Sequence, residues 1–564
     1  MDVVRSNFVE LLPKIRNDIK TCDFIAIDTE LSGLGQNGNS FFDTLEERYL
    51  KIKNSISQYL LIQYGLSCFT KSSTDNSYSC ASYNFYIFPY KVPGANNYKD
   101  KSFLCQPSAL TFLSGHNFDF NKWIREGISY MNLEEEAHLT ETLKNKNVSV
   151  NTTINDLDST VRSLNESSSQ LVNTNHVPDD QKDFIENFMS GLNDFFNDST
   201  RTKWNVDPCS PYRRKLIFQS VASLNMSGLK LTSCQVTENS SERFISIEKV
   251  SAEQKAKEEA QLIDEAVGFT KVVQELIDCK KPIVGHNLLL DMAHTVHHFI
   301  GPLPDTLVDF KEMLSELCPY TYDTKLMAKF DSKLDSQFQN TALNDLYNVI
   351  QKAPFSNIKA KIINRSDSDE KTSFHNASYD SYITGLIFLN MLHYLSPKNQ
   401  KSILDSSEFT KFRGKYNLTF SFDLAYLDIN KDQKNQERSN VFHLTFPPTW
   451  TRSEIYDLLS PFKPGQIGWI DSTSALIALN DVNGVKDIDR VLTIQKNSSV
   501  CTIKSYRAFM DEKSPSQVPN SGKRKSNHFD GDKVVETSTP IVKKFKPTPV
   551  KPEIKMFAQE SDWS

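Results

Sequence analysis

The sequence predicts an α/β protein, because short apolar strands that end in acidic residues alternate with amphipathic helices. The first strand, residues 24–27, runs into an Asp-Thr-Glu triplet at 28–30. A second, residues 282–285, leads through a glycine into a helix that carries Asp291. A third, residues 60–66, must pair beside the first if acids so distant in sequence are to converge on one site.

The composition is that of an intracellular protein with more than one domain. The chain has 564 residues, 38% of them hydrophobic, which exceeds one ordinary core and suggests about three domains and a tail. Its nine cysteines include no CxxC pair, so we expect reduced thiols in the nucleus or cytoplasm. We find no signal peptide and no run of roughly twenty apolar residues, so we expect no membrane span. The net charge of −6 argues against strong nonspecific DNA binding.

Acidic residues at the ends of these segments point to metal-dependent hydrolysis of a phosphodiester. Asp28 and Glu30 are two residues apart in an extended chain and therefore project from the same face. With Asp291, Asp380 and His375 they offer hard oxygen ligands for two divalent cations and an imidazole that titrates near neutrality. An Asp-x-Glu pair alone also fits solvated acids at a strand end. The accumulation of such residues favours a nuclease.

The spacing of His375 predicts its position relative to the last acid. It precedes Asp380 by five residues, and a continuous helix would place two such side chains on different faces. We therefore expect His375 in the loop before the helix that contains Tyr382 and Leu386, where it can turn toward a substrate.

Four segments carry a resemblance to a known family. They are residues 285–291, 292–304, 322–328 and 379–386, which contain GHNLLLD, MAHTVHHFIGPLP, YDTKLMA and YDSYITGL. The chain thereby resembles the DEDDh class of 3'-to-5' exonucleases and, within it, the poly(A)-specific ribonuclease (PARN) family, over nearly its whole length.

The resemblance implies a ribonuclease H-like mixed-sheet exonuclease fold, with an inserted small α/β domain and a C-terminal RNA-recognition-motif-like α+β domain. It also implies two Mg2+ ions, a homodimer, and removal of poly(A) tails from RNA with release of 5'-AMP. The residues carried over are four metal ligands and a general base: Asp28, Glu30, Asp291 and Asp380 as ligands, and His375 as base. Trimming of noncoding RNA 3' ends and a catalytically silent RNA-binding protein are the alternatives.

Residues near these acids are candidates for RNA contacts. Lys325 would bring an ammonium group to a phosphate, although a solvated lysine fits nearly as well. His286 and Asn287 lie close to Asp291 in sequence and are expected to line the site, whereas a histidine bonded to backbone groups is the plainer interpretation. Asp323 also ends an apolar run, but the family pattern already supplies four acids, so a structural role is favoured.

The predicted exonuclease domain is discontinuous, with parts at 1–160 and 249–425. Between them, residues 161–248 combine a polar linker with a compact segment in the place of the family's Arg-xxx-His domain. No histidine occurs at 180–245, so RNA binding by this insert is left open. Residues 251–276 predict one amphipathic helix that begins at a Ser-Ala-Glu-Gln capping box.

A further domain is predicted at 438–509. Its order of two strands separated by a helix is that of an RNA-recognition motif, a class that stacks bases on sheet aromatics. Leu476 and Ile477 stand where such aromatics would lie, so we expect weak stacking there. Trp469 matches the tryptophan on which the family stacks a 7-methylguanosine cap, a contact favoured by charge and quadrupole. Packing of Trp469 in the small domain's core is the alternative.

The last segment, residues 513–564, is rich in Pro, Ser, Lys and Thr without apolar periodicity, which predicts disorder. Basic clusters at 523–525 and 543–546 have the composition of nuclear import signals. Nucleus and cytoplasm are therefore the expected locations.

Overall fold

The structure is a computed structural model that describes most of the chain. The described residues are 1–35, 40–74, 77–95, 101–146, 177–224, 228–237, 240, 242–364, 374–396, 407–422, 424–434, 438–480 and 501–513. Most of the predicted polar linker and the predicted basic tail after 513 lie outside them. The chain divides into two compact units: unit 1 comprises Met1–Asn39, Asp43–Phe420 and Leu424–Lys434, and unit 2 comprises Ser40–Phe42, Ser421–Asp423 and Asn435–Ser564.

Unit 1 contains strands and helices in alternation. Its strands are β1 (Asp2–Val3), β2 (Phe24–Leu31), β3 (Leu61–Lys71), β4 (Tyr78–Tyr86), β5 (Lys203–Asn205), β6 (Leu229–Gln235), β7 (Arg243–Lys249), β8 (Ile283–Gly285), β9 (Thr321–Asp323), β10 (Ala360–Ile362), β11 (Lys415–Asn417) and β12 (Tyr426–Asp428). Its helices are α1 (Arg5–Thr21), α2 (Leu45–Ile56), α3 (Pro107–Gly115), α4 (Phe120–Glu126), α5 (Leu133–Lys146), α6 (Lys182–Asn197), α7 (Pro211–Ser223), α8 (Ala252–Val267), α9 (Thr270–Cys279), α10 (Leu289–Phe299), α11 (Leu307–Leu317), α12 (Thr324–Phe330), α13 (Ser332–Asp335), α14 (Leu343–Ile350), α15 (Ala377–Leu395) and α16 (Ser407–Thr410).

A mixed sheet forms the centre of unit 1. In the described residues it has nine strands, in the order β1-β4-β3-β2-β8-β9-β11-β12, with β10 also paired to β4. Strand β2 pairs antiparallel with β3 and parallel with β8. The predicted pairing of residues 60–66 beside the first acidic strand is therefore confirmed, as is the mixed-sheet α/β class.

The first half of strand β2, residues 24–27, is buried on both faces, which explains why this stretch is continuously apolar rather than alternating. Ile25 and Ile27 belong to a core that includes residues of α1, α9 and α10. Phe24 and Ala26 belong to a second core on the opposite face, built largely from α15. The two faces meet different helices, and this arrangement brings acids from both sides to the end of the strand.

The insert is a small α/β fold of its own. Strands β5, β7 and β6 form an antiparallel sheet, and the predicted helix near residues 184–196 is α6. Its core contains Phe188, Leu192 and Phe195, with Trp204 stacked on Phe188 at 5.6 Å between ring centroids.

The prediction of a single helix over 251–276 is wrong, because two helices, α8 and α9, occupy that stretch. Ser251 does cap α8, accepting a hydrogen bond from the Gln254 backbone N–H at 3.1 Å. The break is at Gly268, where φ is +48° and a Cβ would lie 2.1 Å from the Ser129 carbonyl oxygen. A left-handed residue at a close backbone approach ends the helix although the apolar spacing continues.

Unit 2 is a four-stranded sheet with helices on both faces. Its elements are β13 (Val441–Thr445), α17 (Arg452–Leu459), β14 (Pro464–Asp471), β15 (Ser474–Leu479), β16 (Thr502–Ser505) and α18 (Tyr506–Lys513), and the sheet order is β14-β15-β13-β16. Ile477 faces α17, whereas Leu476 lies on the opposite face. That second face packs against Phe42 and Phe509. Because these residues cover the face that carries Leu476, the structure gives a second reason to expect weak base stacking on it.

None of the described helices is long and apolar enough to cross a membrane.

Candidate active site

The first two predicted acids lie at the end of β2. In the antiparallel ladder Asp28 pairs with Gly65 and Glu30 with Gln63. The pleat places both carboxylates on one face of the sheet, which is the face covered by α15. The prediction from the two-residue spacing is confirmed for their direction.

Asp380 comes to these acids from α15. One carboxylate oxygen each from Asp28, Glu30 and Asp380 lies within 4.8 Å of the others. Asp380 sits in the first turn of the helix, after the N-cap Asn376. A cluster of three carboxylates at this distance is a concentration of negative charge that ordinary packing does not favour.

The close approach of α15 depends on two residues of β3. A Cβ at Gly65 would lie 1.8 Å from the Ala377 carbonyl oxygen, so only glycine admits the helix start at this distance. The Gln63 side-chain oxygen accepts a hydrogen bond from the Ala377 N–H at 3.0 Å. Strand β3 therefore sets the position of Asp380 without contributing an acid.

Asp291 reaches the same strand end from the other face. It lies in the first turn of α10, and its Oδ1 accepts a hydrogen bond from the Thr29 hydroxyl at 2.6 Å. Thr29 alternates with Asp28 and Glu30 and so points toward α10. The four predicted acids are thus brought to one place, three on one face and Asp291 across the strand.

Burial and mutual repulsion govern the charges of this cluster. Burial, followed by the charges of Asp380 and Asp291, raises the pKa of Asp28 and that of Glu30 well above their usual range. Burial likewise raises the pKa of Asp291 to about 7 and that of Asp380 to about 7. Four anions forced together are most readily stabilised by cations.

The donor set fits a divalent metal ion. All four groups are carboxylates, the hard oxygen ligands that Mg2+ and similar ions take. Asp380 Oδ1 is buried and has no hydrogen-bond partner among the described residues. A buried charged oxygen without a partner is costly, and coordination would satisfy it.

His375 lies in the loop directly before α15, as its spacing predicts. Its backbone has φ +69°, and its N–H donates to Asp380 Oδ2 at 2.8 Å. Its ring lies 4.6 Å from the Phe112 ring and 4.1 Å from the His116 ring, centroid to centroid. Burial and the neighbouring His116 lower the pKa of His375 to about 4.

Asp323 has a structural position. Its two oxygens accept hydrogen bonds from five backbone N–H groups at 2.9–3.3 Å, those of Asn287, Leu288, Lys325, Leu326 and Asn417. The carboxylate joins the turn after β8, the start of α12 and strand β11. It has no remaining need of a cation, which agrees with the structural role favoured from the sequence.

The three candidate RNA contacts lie around this turn. His286 hydrogen-bonds the Thr324 hydroxyl through Nδ1 at 2.9 Å, and its side chain is buried. Asn287 has φ +60° and its Oδ1 accepts from the Asn417 amide at 2.9 Å. Lys325 lies in the first turn of α12, and burial lowers its pKa.

Trp469 is in unit 2, on β14. Its side chain is 43% exposed, and its ring meets Phe446 edge to face at 5.3 Å. It does not belong to the buried core, which contains Phe446 and Ile477 among others.

Sequence reasoning missed four residues of this region: Thr29, Gln63, Phe112 and His116. Thr29 had a local signal, since it stands between the two acids and must face the opposite side of the strand. The others are contributed by segments far in sequence from the four site acids, so nothing local pointed to them.

Comparison with known proteins agrees with this geometry. A CAF1 family ribonuclease model matches residues 3–388, and an RNA-binding domain model matches residues 431–512. The poly(A)-specific ribonuclease PARN of Xenopus laevis is 36% identical over 531 residues, covering 91% of this chain and 82% of that protein. The Homo sapiens PARN is 35% identical over 532 residues, covering 91% and 81%.

A more distant relative is the pre-piRNA 3'-exonuclease trimmer of Bombyx mori, which is 29% identical over 415 residues, covering 71% of this chain and 72% of that protein. CAF1 family ribonucleases are metal-dependent, in keeping with the carboxylate cluster. The chain therefore belongs to the CAF1 family of ribonucleases and, within it, to the poly(A)-specific ribonucleases.

Proposed function

We propose that this ribonuclease removes poly(A) tails as a 3'-to-5' exonuclease and releases 5'-AMP. The observation that carries the proposal is the cluster of Asp28, Glu30 and Asp380, with oxygens within 4.8 Å of one another, in a chain of this family. Phosphodiester hydrolysis develops negative charge on the attacking and leaving oxygens. Crowded carboxylates serve such a reaction only when they hold cations.

Two Mg2+ ions are the proposed cofactors, with Asp28, Glu30, Asp291 and Asp380 as their ligands. When bound, they supply Lewis-acid stabilisation of the reacting oxygens. The raised pKa values of all four acids support this assignment, as does the unpartnered oxygen of Asp380. A bound cation would relieve both the repulsion and the unsatisfied oxygen.

His375 is the proposed general base, which takes a proton from the attacking water. With its pKa lowered to about 4, the imidazole is neutral at pH 7 and has a lone pair available. A neutral imidazole at this position can accept the proton of the attacking water. Its N–H bond to Asp380 keeps it beside the cluster.

Lys325, His286 and Asn287 are proposed to contact RNA. An anionic phosphate beside Lys325 would favour its charged form, which burial disfavours. Asn287 offers its Nδ2, since its Oδ1 is bonded to Asn417, and His286 lies beside it in sequence with its Nδ1 bonded to Thr324. Alanine replacement of each should raise KM more than it lowers kcat.

Cap recognition by Trp469 is a separate proposal. The indole of Trp469 is 43% exposed and meets Phe446 edge to face, and an exposed indole attracts a cationic purine. The sheet face that other RNA-recognition motifs use is covered by Phe42 and Phe509, which favours a site on β14. Cap binding through Trp469 would stimulate deadenylation of capped RNA.

A homodimer and a distribution between nucleus and cytoplasm complete the proposal. Light scattering of the purified protein measures the first, and microscopy of a fluorescent fusion measures the second. A monomer at micromolar concentration would contradict the dimer.

The activity test uses single-stranded RNA with a free 3' oligo(A) end. We expect 5'-AMP as product, full dependence on Mg2+ and much slower removal of oligo(U). Persistent activity in excess chelator, or products with 3' phosphates, would overturn the two-metal assignment.

The cap test compares the parent with Trp469→Ala on capped and uncapped oligo(A) RNA. We expect loss of cap binding and cap stimulation, with uncapped RNA degraded at an unchanged rate. Equal cap binding by the two proteins would assign Trp469 to packing.

Trimming of other RNA 3' ends is the second candidate, favoured by the likeness to the Bombyx mori trimmer. It is tested by offering non-adenosine 3' extensions on a structured RNA. Equal rates on these and on oligo(A) would select trimming over deadenylation.

A further inference from the structure

His116 lies beside the proposed base, although it is distant from the acids in sequence. It caps the C-terminus of α3, where its Nδ1 lies 2.8 Å from the Phe112 carbonyl oxygen. A carbonyl only accepts hydrogen bonds, so the proton of this bond is on His116 Nδ1. The bond to its own helix fixes the direction of the His116 ring.

The His116 ring and the Phe112 ring form two walls around the His375 imidazole. The centroid of His116 is 4.1 Å from that of His375, with the planes inclined by 59°. Phe112 meets His375 edge to face at 4.6 Å and 77°. Phe112 and His116 also contact each other at 4.5 Å, so the three rings are in mutual contact.

The orientation of the His375 ring depends on these two neighbouring rings. Its backbone is left-handed, with φ +69°, in the loop before α15. Among the described residues its N–H donates to Asp380, whereas no hydrogen bond orients its ring nitrogens. Many catalytic histidines are oriented by a hydrogen bond from a third group. Here packing of rings takes that place.

We propose that His116 is a positioning residue, whose ring holds the His375 imidazole in the orientation needed for general-base catalysis. The proposal rests on the proposed role of His375. His116 acts through its flat ring and its contact with His375, and among the described residues it has no hydrogen bond to the four acids.

The test measures kcat and KM on oligo(A) RNA with Mg2+ for His116→Ala, His116→Asn and His116→Phe. We expect Ala and Asn to lower kcat roughly 10- to 100-fold, as expected for a displaced base, with KM within about twofold. The Phe variant retains a ring in the same place and should recover most of kcat. His138→Ala, an exposed histidine on α5, is the matched control and should match the parent.

A double-mutant cycle shows whether His116 acts through His375. In a His375→Ala background, His116→Ala should cause no further loss of kcat, because the group that it positions is already absent. An additive loss would overturn the proposal, as would a raised KM with unchanged kcat, which indicates an RNA contact. A lower melting temperature with unchanged kcat would assign His116 to α3 alone.

The cycle also separates this proposal from the role of the base. If His375→Ala alone leaves kcat unchanged, the proposed base is wrong and the positioning role fails with it. If His375→Ala is inactive while all three His116 variants match the parent, only the positioning role is overturned.

Discussion

Two buried aspartates of unit 1, Asp323 and Asp380, differ in what their oxygens contact. Asp323 is 0% exposed and Asp380 is 5% exposed, so burial does not distinguish them. Asp323 accepts five backbone N–H groups, whereas Asp380 accepts the N–H of His375 and leaves Oδ1 without a partner among the described residues. An acid whose oxygens accept several backbone hydrogen bonds holds segments of the chain together. An acid with an unpartnered oxygen is available to bind a cation.

The pKa values follow the same division. Burial raises the pKa of Asp323, and its backbone donors oppose this by stabilising the anion. Burial raises the pKa of Asp380 to about 7, with a single opposing hydrogen bond from His375. The comparison therefore predicts different consequences for the same chemical substitution at the two positions.

The largest expected effect is that of Asp380→Asn on activity. Loss of a proposed metal ligand removes several kcal/mol of charge stabilisation, so kcat/KM should fall roughly 1,000-fold or more. The melting temperature should hold or rise, since a crowded charge is removed. Steady-state kinetics and a thermal melt measure both. Retained activity would contradict the assignment of Asp380 as a ligand.

The next effect concerns how Asp380 is positioned. Gly65→Ala places a Cβ where the Ala377 backbone lies, which must displace the start of α15. A shift of about 1 Å can cost roughly 100-fold in rate. Gly301→Ala is the matched control, because a Cβ there meets nothing within 4 Å. Equal kcat for both variants would show that the helix start can adjust.

Asp323→Asn should instead act on stability. The amide nitrogen of Asn would face backbone N–H donors, and the hydrogen bonds to a charged acceptor are lost, at a cost of roughly 2–3 kcal/mol. Denaturant unfolding measures this change. The exposed cap Asp119, which accepts from Lys122 N at 2.9 Å, is the control, and Asp119→Asn should cost at most about 1 kcal/mol.

An Asp323→Asn protein with parental stability but lost activity would reverse the comparison, because it would place Asp323 in the reaction. The distinction between the two acids would then have to rest on something other than filled oxygens.

Features of the site that depend on local residue spacing could be predicted from the sequence. The two-residue spacing of Asp28 and Glu30 predicted that they share a face of the strand, and the structure agrees. The five-residue spacing of His375 and Asp380 predicted that His375 precedes the helix, which it does. Features that depend on contacts between distant segments could not be predicted from the sequence. Gly65 is needed because Ala377 passes over it, and an isolated glycine in a strand does not reveal what approaches.

The break at Gly268 has the same cause. The apolar spacing through 251–276 continues across it, so periodicity alone predicts one helix. The close approach of Ser129, which ends α8, comes from a segment more than a hundred residues earlier in the chain. The same holds for His116, which meets His375 only in the folded protein.

The smallest expected effect is a pH dependence of stability in the metal-free protein. Asp291 and Asp380 have folded pKa values of about 7, above the 3.8 of an unperturbed aspartate, so the folded state binds more protons between about pH 4 and pH 7. The free energy of unfolding therefore falls as pH rises through that interval. In chelator, the melting temperature of the parent minus that of Asp380→Asn should fall between pH 5 and pH 8. Each kcal/mol lost from the free energy of unfolding lowers the melting temperature by roughly 2–4 °C. Saturating Mg2+ should remove this difference at pH 8, because cations stabilise the charged acids. If the parent and Asp380→Asn have the same pH slope in chelator, the open oxygen of Asp380 carries no excess charge cost, and the contrast with Asp323 loses its electrostatic basis.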